Sequence, residues 1–338
     1  MSGSEGIPMH HSLFVAAPFQ GHFTPSANFA VKLAARGFII TFVTTEAFHH
    51  QRTASGAVSV DGHEVFANAR SMGMDIRYEL VSDGLPVSFD RDMHRDQFSD
   101  AFYHLLPAHV EELMRKLLLA EPPIDVLISD TFAVWPSTLA KKFGLPYVSF
   151  WTESALIFAI YYHMNLLVEN GHFGSPTETR KDTITYIPGV PSIEPTDLVS
   201  FFHSPEASWR VLRNVGKAFE EVKGADFVLC NTVQELEAEV IRALQQEWPF
   251  YAPTNRKMVV EDLRTGIDVG SIGEVSRAEV SRRIDSLMGG VGDALRKEME
   301  EARRAVKSAV TPTGSSSKNM EQFTADLLKH LSEKKRVQ

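Results

Sequence analysis

A histidine and an aspartate that each follow an apolar run are the residues of this sequence best suited to proton transfer. His22 lies directly after a glycine in residues 18–25, between an apolar run and a helical pattern. Asp130 directly follows the apolar residues 126–129. An imidazole can take a proton from a hydroxyl group, and it does so better when a carboxylate holds its other ring nitrogen. The pair could therefore form a general base and its orienting partner.

The predicted helix after His22 bears on the protonation of the ring. Helical periodicity over residues 25–36 predicts a helix with Thr24 as its N-cap, Pro25 in its first turn and Gly37 at its end. The positive end of a helix dipole disfavours a protonated ring. We therefore expect the dipole to keep His22 unprotonated and available as a base.

A structural interpretation of the same two residues is equally open. Histidines and strand-end aspartates are common in proteins without a catalytic role. In this interpretation His22 is a polar turn residue, and Asp130 caps a helix that starts near Phe132. Spacing alone does not choose between the two interpretations.

Alternating strands and helices predict the element that would position these residues. Short apolar runs predict buried parallel strands at residues 12–16, 38–43, 125–129, 147–150 and 226–230. Helical patterns include residues 101–118, 233–246, 293–310 and 319–332. This alternation predicts a doubly wound, Rossmann-like α/β domain, in which ligands bind beyond the carboxyl ends of the strands. His22 and Asp130 should share that edge, and residues 74–99 and 170–196 should form loops over it.

Composition limits the classes of partner and compartment. The 338 residues are 43% hydrophobic and 23% charged, enough for two packed domains. The formal charge of −9 disfavours nucleic acid and anionic membrane surfaces as partners. Cys230 is the only cysteine, which excludes an intrachain disulfide and fits a reducing compartment. The apolar run at residues 13–17 is too short for a membrane span, so we expect a cytosolic protein.

Several ordered motifs resemble one known family. Residues 18–25 resemble the first loop of the plant family-1 UDP-glycosyltransferases, and Ile128-Ser129-Asp130 is similar to the segment in which that family keeps an aspartate. Further similarities follow in the family's order, and together they cover residues 10 to about 245: residues 82–86, residues 187–189, Asn231-Thr232 and Glu235-Leu236-Glu237. The resemblance implies the N-terminal domain of a GT-B enzyme.

The resemblance also implies an activity. His22 would deprotonate the acceptor hydroxyl and Asp130 would orient it. The reaction would be the inverting transfer of a sugar, with glucose as the expected one, from a UDP-sugar to a small lipophilic acceptor such as a flavonoid or another phenolic. The UDP-sugar would be a co-substrate, and neither a metal nor any other cofactor is implied.

An apolar acceptor pocket built from N-domain loops is a further implication. It makes the following residues candidate acceptor contacts: Phe19, Gln20, Gly21, Phe150, Trp151, Glu153 and Phe158, with Phe201 and Phe202 as further aromatic candidates. Each aromatic residue could instead be part of the core. Glu153 and His163 are polar exceptions in an apolar stretch, and they could orient an acceptor or satisfy structural hydrogen bonds.

The family's donor-binding signature does not occur in these 338 residues. A tryptophan that stacks on uracil, a His-Cys-Gly-Trp-Asn-Ser stretch and a closing Asp/Glu-Gln pair are all missing, whereas residues 248–256 resemble the segment that comes next. The sequence therefore predicts an acceptor-binding domain at residues 1–247 and an incomplete, mostly helical donor-domain remnant at 248–338. We expect UDP-sugar binding to be weak or lost, because the phosphate donors and the stacking surface are missing. We also expect apolar helix faces to be exposed unless the remnant docks on the first domain.

Two functional hypotheses follow from this pattern. The first is an active UDP-glycosyltransferase. The second is a catalytically inactive acceptor-binding remnant that arose by splicing, gene decay or an incorrect gene model. A serine hydrolase is disfavoured because the sequence has no G-x-S-x-G motif.

Overall fold

A parallel sheet of seven strands runs through the part of the chain that the computed structural model describes, which is residues 10–55, 63–173, 180–199, 202, 207–253 and 290–335. The strands are β1 His11–Val15, β2 Ile39–Thr45, β3 Ile76–Val81, β4 Val126–Asp130, β5 Tyr147–Trp151, β6 Phe227–Cys230 and β7 Phe250–Tyr251. Their order is β3-β2-β1-β4-β5-β6-β7. The direction of strand addition reverses beside β1, as in doubly wound folds, which confirms the predicted fold class.

Helices cover both faces of this sheet. Their bounds are α1 Gln20–Ala34, α2 Glu46–Ala54, α3 Ala67–Ser71, α4 Arg95–His104, α5 Leu106–Leu117, α6 Pro136–Phe143, α7 Ala155–Tyr162, α8 Met164–Glu169, α9 Ala207–Val222, α10 Ala238–Leu244, α11 Gly290–Ala309 and α12 Ser315–Lys335. Short 3₁₀ turns occur at His63–Phe66 and Pro195–Asp197. Within the described ranges, no helix has both the length and the apolar content that a bilayer crossing requires.

Two strands were absent from the sequence prediction. β3 lies inside residues 74–99, which were predicted to be a loop, and α4 begins near the end of the same stretch. β3 is an edge strand, and only Ile76 and Val81 at its two ends are buried, so it lacks a continuous apolar run. β7 has two residues, which is too short for any periodic signal.

The start of α1 corrects the prediction for the loop around His22. The helix begins at Gln20, five positions before Pro25, and Phe19 at the N-cap makes no side-chain capping bond. Thr24 is therefore not the cap but a helical residue, whose hydroxyl accepts a hydrogen bond from Gln20 at 3.2 Å. The helix also ends two residues earlier than predicted, at Ala34, and Gly37 closes the turn that follows with a φ of 87°, which favours glycine.

The bounds of several other helices differ from the predicted ones. The predicted helix 101–118 is two helices separated at Leu105, because Pro107 has no N–H to donate to the preceding turn. Helix 233–246 is shorter than predicted, as α10 covers Ala238–Leu244. The two predicted C-terminal helices are present as α11 and α12, and α12 begins at Ser315, four residues before the predicted start.

Successive side chains of each strand point to opposite faces of the sheet, where they belong to separate parts of the core. On one face Phe14, Ile128 and Phe150 pack against α1 and α12. On the other face Leu13 and Leu127 pack against α5 and α6. A further cluster joins the β5–β6 side of the sheet to α7, α9 and α10.

Helix α12 docks on the sheet through a buried apolar stripe: Met320, Phe323, Leu327 and Leu331. The Ala252 amide after β7 donates to Asn319 Oδ1 at 3.1 Å, and the Tyr251 hydroxyl donates to Asp326 Oδ2 at 2.5 Å. The apolar face of α12, which we expected to be exposed unless the helix docked, is therefore covered by the sheet. β7 and α12 belong to the predicted second unit, residues 248–338, and both join this core; the division into two domains itself stays a prediction.

Candidate active site

The edge formed by the carboxyl ends of β1 and β4 brings His22 and Asp130 together. β1 and β4 pair in parallel, α1 follows β1 directly, and Asp130 is the last residue of β4. His22 Nδ1 lies 2.7 Å from Asp130 Oδ2. The side chain of Asp130 is 3% exposed and that of His22 is 16% exposed. The imidazole and the carboxylate thus form a hydrogen-bonded pair that is largely shielded from water.

The carboxylate of Asp130 is held in one orientation. Its Oδ1 accepts a hydrogen bond from the backbone amide of Phe132 at 2.9 Å, as in an Asx turn. The following helix, α6, starts only at Pro136, so Asp130 is not the helix cap that the structural interpretation required. The turn instead leaves Oδ2 directed at His22.

A threonine that the sequence analysis did not single out completes the contact. Thr152, just after β5, places its hydroxyl oxygen 3.1 Å from His22 Nδ1. Because Nδ1 faces both Asp130 and Thr152, the proton of a neutral ring is best placed on Nδ1. Nε2 then keeps its lone pair. Among the described residues, no hydrogen bond involves Nε2, so this nitrogen can face an incoming hydroxyl.

Opposing influences act on the protonation of His22. Burial lowers the pKa of the imidazole, but the charge of Asp130 and its hydrogen bond raise it, and Glu153 adds to the increase. The net pKa lies above the ordinary value of 6.5. The sequence analysis expected the helix dipole to disfavour protonation. That direction is wrong, because a full carboxylate charge in contact with the ring outweighs the partial charge of a helix end.

The raised pKa gives a testable titration. We expect the imidazole of His22 to titrate above pH 6.5 in NMR spectra, and Asp130→Asn to move the midpoint down because it removes the carboxylate charge. The stability that this pair contributes should be full below pH 6.5 and lost as the pH rises through the folded-state pKa. Glu79→Gln on β3 is the control charge change. A midpoint below 6.5, or one that Asp130→Asn leaves in place, would contradict the assignment.

Aromatic rings surround the imidazole and form an apolar wall. The ring of His22 meets Phe19 and Phe132 edge-on, with centroids 5.6 and 5.3 Å apart. Phe19 in turn contacts Phe98 at 5.7 Å. Phe19 is 42% exposed, which leaves much of its surface for a ligand. Neither Phe98 nor Phe132 was among the acceptor contacts that the sequence predicted.

Three predicted acceptor contacts lie in the core instead. Phe150, Trp151 and Phe158 are at most 1% exposed. Phe150 packs against the core residues Phe14 and Phe29. Trp151 lies behind Phe132, with ring centroids 5.1 Å apart. These rings have no accessible surface, so they can support the wall but cannot form its ligand-facing layer.

The remaining predicted acceptor contacts lie at different distances along the chain from the His22–Asp130 pair. Gln20 and Gly21 are exposed in the first turn of α1, and Gln20 Oε1 accepts a hydrogen bond from Arg52 at 2.8 Å. Glu153 is exposed and directly follows Thr152. His163 ends α7 and packs on the neighbouring Tyr162 ring.

The two further aromatic candidates have different outcomes. Phe202 is buried against Tyr161 and Phe173. Phe201 lies outside the described residues. Phe202 therefore adds no accessible ring to the wall around His22.

A half-buried glutamate, Glu237, joins the motif at residues 231–237 to this edge of the sheet. The carboxylate of Glu237 accepts the amides of Ala155 and Leu156 at 2.9 and 2.7 Å, and it also accepts the hydroxyl of Thr232. Negative charge is favourable at a helix N-terminus, here that of α7. Glu237 thereby anchors the chain just after Thr152.

A buried carboxylate, that of Asp83, anchors the loop before α4. Asp83, 2% exposed, accepts two hydrogen bonds from the guanidinium of Arg91 at 2.8 and 2.9 Å, and one from the amide of Leu85 at 3.1 Å. The Arg91 guanidinium lies 5.9 Å from the ring centre of Phe98. This ion pair therefore fixes the loop that supports one side of the aromatic wall.

A separate groove lies away from His22 and Asp130. A cavity of about 590 Å³ runs along β3 at the outer edge of the sheet, lined by Arg70 and residues 73–78. It contains no pair of groups with the contacts of His22 and Asp130. We therefore place the candidate site at the His22–Asp130 dyad rather than in the groove along β3.

Known proteins resemble this chain in sequence and in fold. No protein-family model matches it. UDP-glycosyltransferase 86A2 of Arabidopsis thaliana is 50% identical over 243 residues, which are 72% of this chain and 49% of that protein. UDP-glycosyltransferase 86A1 of the same plant is 48% identical over 248 residues, 72% of this chain and 50% of that protein. The chain thus spans about half the length of the curated relatives it matches.

A solved structure shares the fold. The structure of Phytolacca americana UGT2 complexed with UDP-2fluoro-glucose and pterostilbene superposes with a TM-score of 0.70, covering 94% of this chain and 99% of that one. The sequences are 15% identical in this alignment, so the similarity concerns the fold alone.

Proposed function

The chain belongs to the plant UDP-glycosyltransferases by its 50% identity over 243 aligned residues, and on this premise we propose that it activates the acceptor in a sugar transfer from a UDP-sugar. The acceptor is the hydroxyl group of a small lipophilic molecule, such as a flavonoid or another phenolic. The observation that carries the proposal is the 2.7 Å contact between His22 Nδ1 and Asp130 Oδ2.

The geometry supports His22 as the general base. Nε2 takes the proton of the acceptor hydroxyl while the acceptor oxygen attacks the anomeric carbon of the sugar. The bond between that carbon and the diphosphate breaks, and its electron pair leaves with UDP. Attack from the side opposite the leaving group inverts the anomeric centre. The imidazolium that forms is stabilised by the carboxylate of Asp130.

The surroundings of the base support a lipophilic acceptor. Phe19, Phe98 and Phe132 give an apolar wall beside the imidazole, and Phe19 is accessible. An aromatic acceptor would stack edge-on or offset against such rings while its hydroxyl reaches Nε2. We place the reaction in the cytosol, which suits the single buried thiol of Cys230.

Turnover is tested directly with His22→Ala. Purified protein is incubated with UDP-glucose and a panel of phenols, and UDP release is measured. We expect release to fall at least about a hundredfold in the variant, because a positioned general base contributes that much or more. His163→Ala is the matched control, since His163 lies at the far end of α7. If wild-type release does not exceed that of His22→Ala, the chain itself is not a transferase.

Acceptor binding without turnover is the second candidate function. It is favoured by one observation: the 338 residues lack the uracil-stacking tryptophan, the phosphate-binding stretch and the sugar-binding pair of the family. Calorimetry separates the two candidates, because phenols should release or absorb heat on binding while UDP does not. Tight binding of UDP would exclude this second candidate.

A further inference from the structure

Glu153 holds a defined place beside the dyad. It follows Thr152, whose hydroxyl touches His22 Nδ1, and its own carbonyl accepts a hydrogen bond from Cys230 Sγ at 3.5 Å. Asn231 Nδ2 donates to the carbonyl of Thr152 at 3.5 Å. Ser154, the next residue, caps α7 through the amide of Ile157. The backbone of Glu153 is therefore fixed on both sides.

The side chain of Glu153 is accessible. The residue is exposed, and among the described residues no hydrogen bond or ion pair involves its carboxylate. The neighbouring carboxylates differ in this respect: Asp130 is bonded to His22 and Phe132, and Glu237 to α7. An accessible carboxylate beside the base is open to contact from a ligand.

The charge of Glu153 affects the protonation of His22, as the charge of Asp130 does. It raises the pKa of His22, and burial and the charge of Asp130 raise the pKa of Glu153 in turn, against an opposing effect of His22. The charges of two carboxylates, those of Asp130 and Glu153, thus act on one imidazole. A ligand that brings its own negative charge into this space meets repulsion from both, whereas a ligand with a hydrogen-bond donor or a positive charge finds an acceptor.

We infer that Glu153 selects acceptors by charge, binding a second donor group on phenols that are neutral or cationic and excluding phenols that carry a carboxylate. This inference rests on the proposed function and deepens it, because it names the class of acceptor. Glu153 is a specificity-determining residue here and takes no part in the proton transfer.

Three phenols with the same ring and nearly the same length test the inference: tyramine, 4-hydroxyphenethyl alcohol and 4-hydroxyphenylacetate. Their dissociation constants are measured by calorimetry at pH 7.5 with the full chain. We expect the neutral alcohol to bind about tenfold more tightly than the acid, and tyramine at least as tightly as the alcohol. In Glu153→Gln the ratio between alcohol and acid should fall below about threefold.

Two variants control the experiment. Glu153→Asp keeps the charge and should keep the preference, and Glu79→Gln removes an exposed carboxylate four strands away from β5 and should also keep it. Equal thermal melting midpoints show that the variants are folded. An unchanged ratio in Glu153→Gln overturns the inference and leaves the proposed function standing. If the wild type binds none of the three phenols, the acceptor site itself is refuted and the inference falls with it.

Discussion

Replacing Phe323 with alanine should lower the free energy of unfolding by about 3–5 kcal/mol. Phe323 is fully buried in α12, and its ring contacts Phe29, Phe227 and Tyr251 at centroid distances of 6.2, 5.8 and 5.6 Å. Truncation leaves a cavity between α12 and the sheet that rigid strands cannot close. The helix would then keep its hydrogen bonds but lose the centre of its apolar stripe.

Urea unfolding followed by circular dichroism measures this effect. Glu333→Ala is the matched control, because Glu333 is exposed on the same helix and its replacement should change stability by less than about 0.5 kcal/mol. A loss below about 1 kcal/mol for Phe323→Ala would show that α12 does not dock on the sheet in solution. The same result would revive the expectation that the helix exposes its apolar face.

Replacing Arg91 with methionine should cost a similar amount, about 3–5 kcal/mol. The side chain of Asp83 is 1% exposed, and Arg91 supplies two of its hydrogen bonds. Without the guanidinium the carboxylate is a buried charge whose remaining hydrogen bond comes from the amide of Leu85. Binding of phenols should weaken as well, because Arg91 also lies against Phe98 at the aromatic wall.

A double variant separates the ion pair from general damage to the loop. Asp83→Asn combined with Arg91→Met removes both charges, so it should be more stable than Arg91→Met alone. Arg95→Met, at an exposed position of α4, is the control and should be nearly neutral. If Arg91→Met is also nearly neutral, Asp83 is not the buried charge that the geometry indicates.

The fold was predictable where burial leaves a local signature. β1, β2, β4, β5 and β6 are buried on both faces, so they appear as continuous apolar runs whose ends were placed within two residues. β3 is an edge strand with exposed residues, and β7 pairs through only two positions, so neither has such a run. The start of α1 was misplaced because Thr24 and Pro25 imitate a helix start, although both lie inside the helix.

The candidate site was predictable only in its pair of chemical groups. His22 and Asp130 could be matched because the topology of a parallel sheet brings strand ends together. Thr152 and Phe132 contact His22 across 130 and 110 positions of sequence, and nothing in their local sequence marks them. The direction of the His22 pKa depends on the distance to Asp130, which no spacing in the sequence reveals.

The hydrogen bond between the amide of Ala252 and Asn319 joins two points that are distant in sequence, one just past β7 and one in α12. Residues 252 and 319 thus lie one hydrogen bond apart, although 67 positions of sequence separate them. The entropy of closing such a connection grows only with the logarithm of its length, by about 0.6 kcal/mol per doubling. The junction between β7 and α12 is therefore a permissive insertion site, and relatives about one and a half times as long could carry their extra residues there with little penalty for folding.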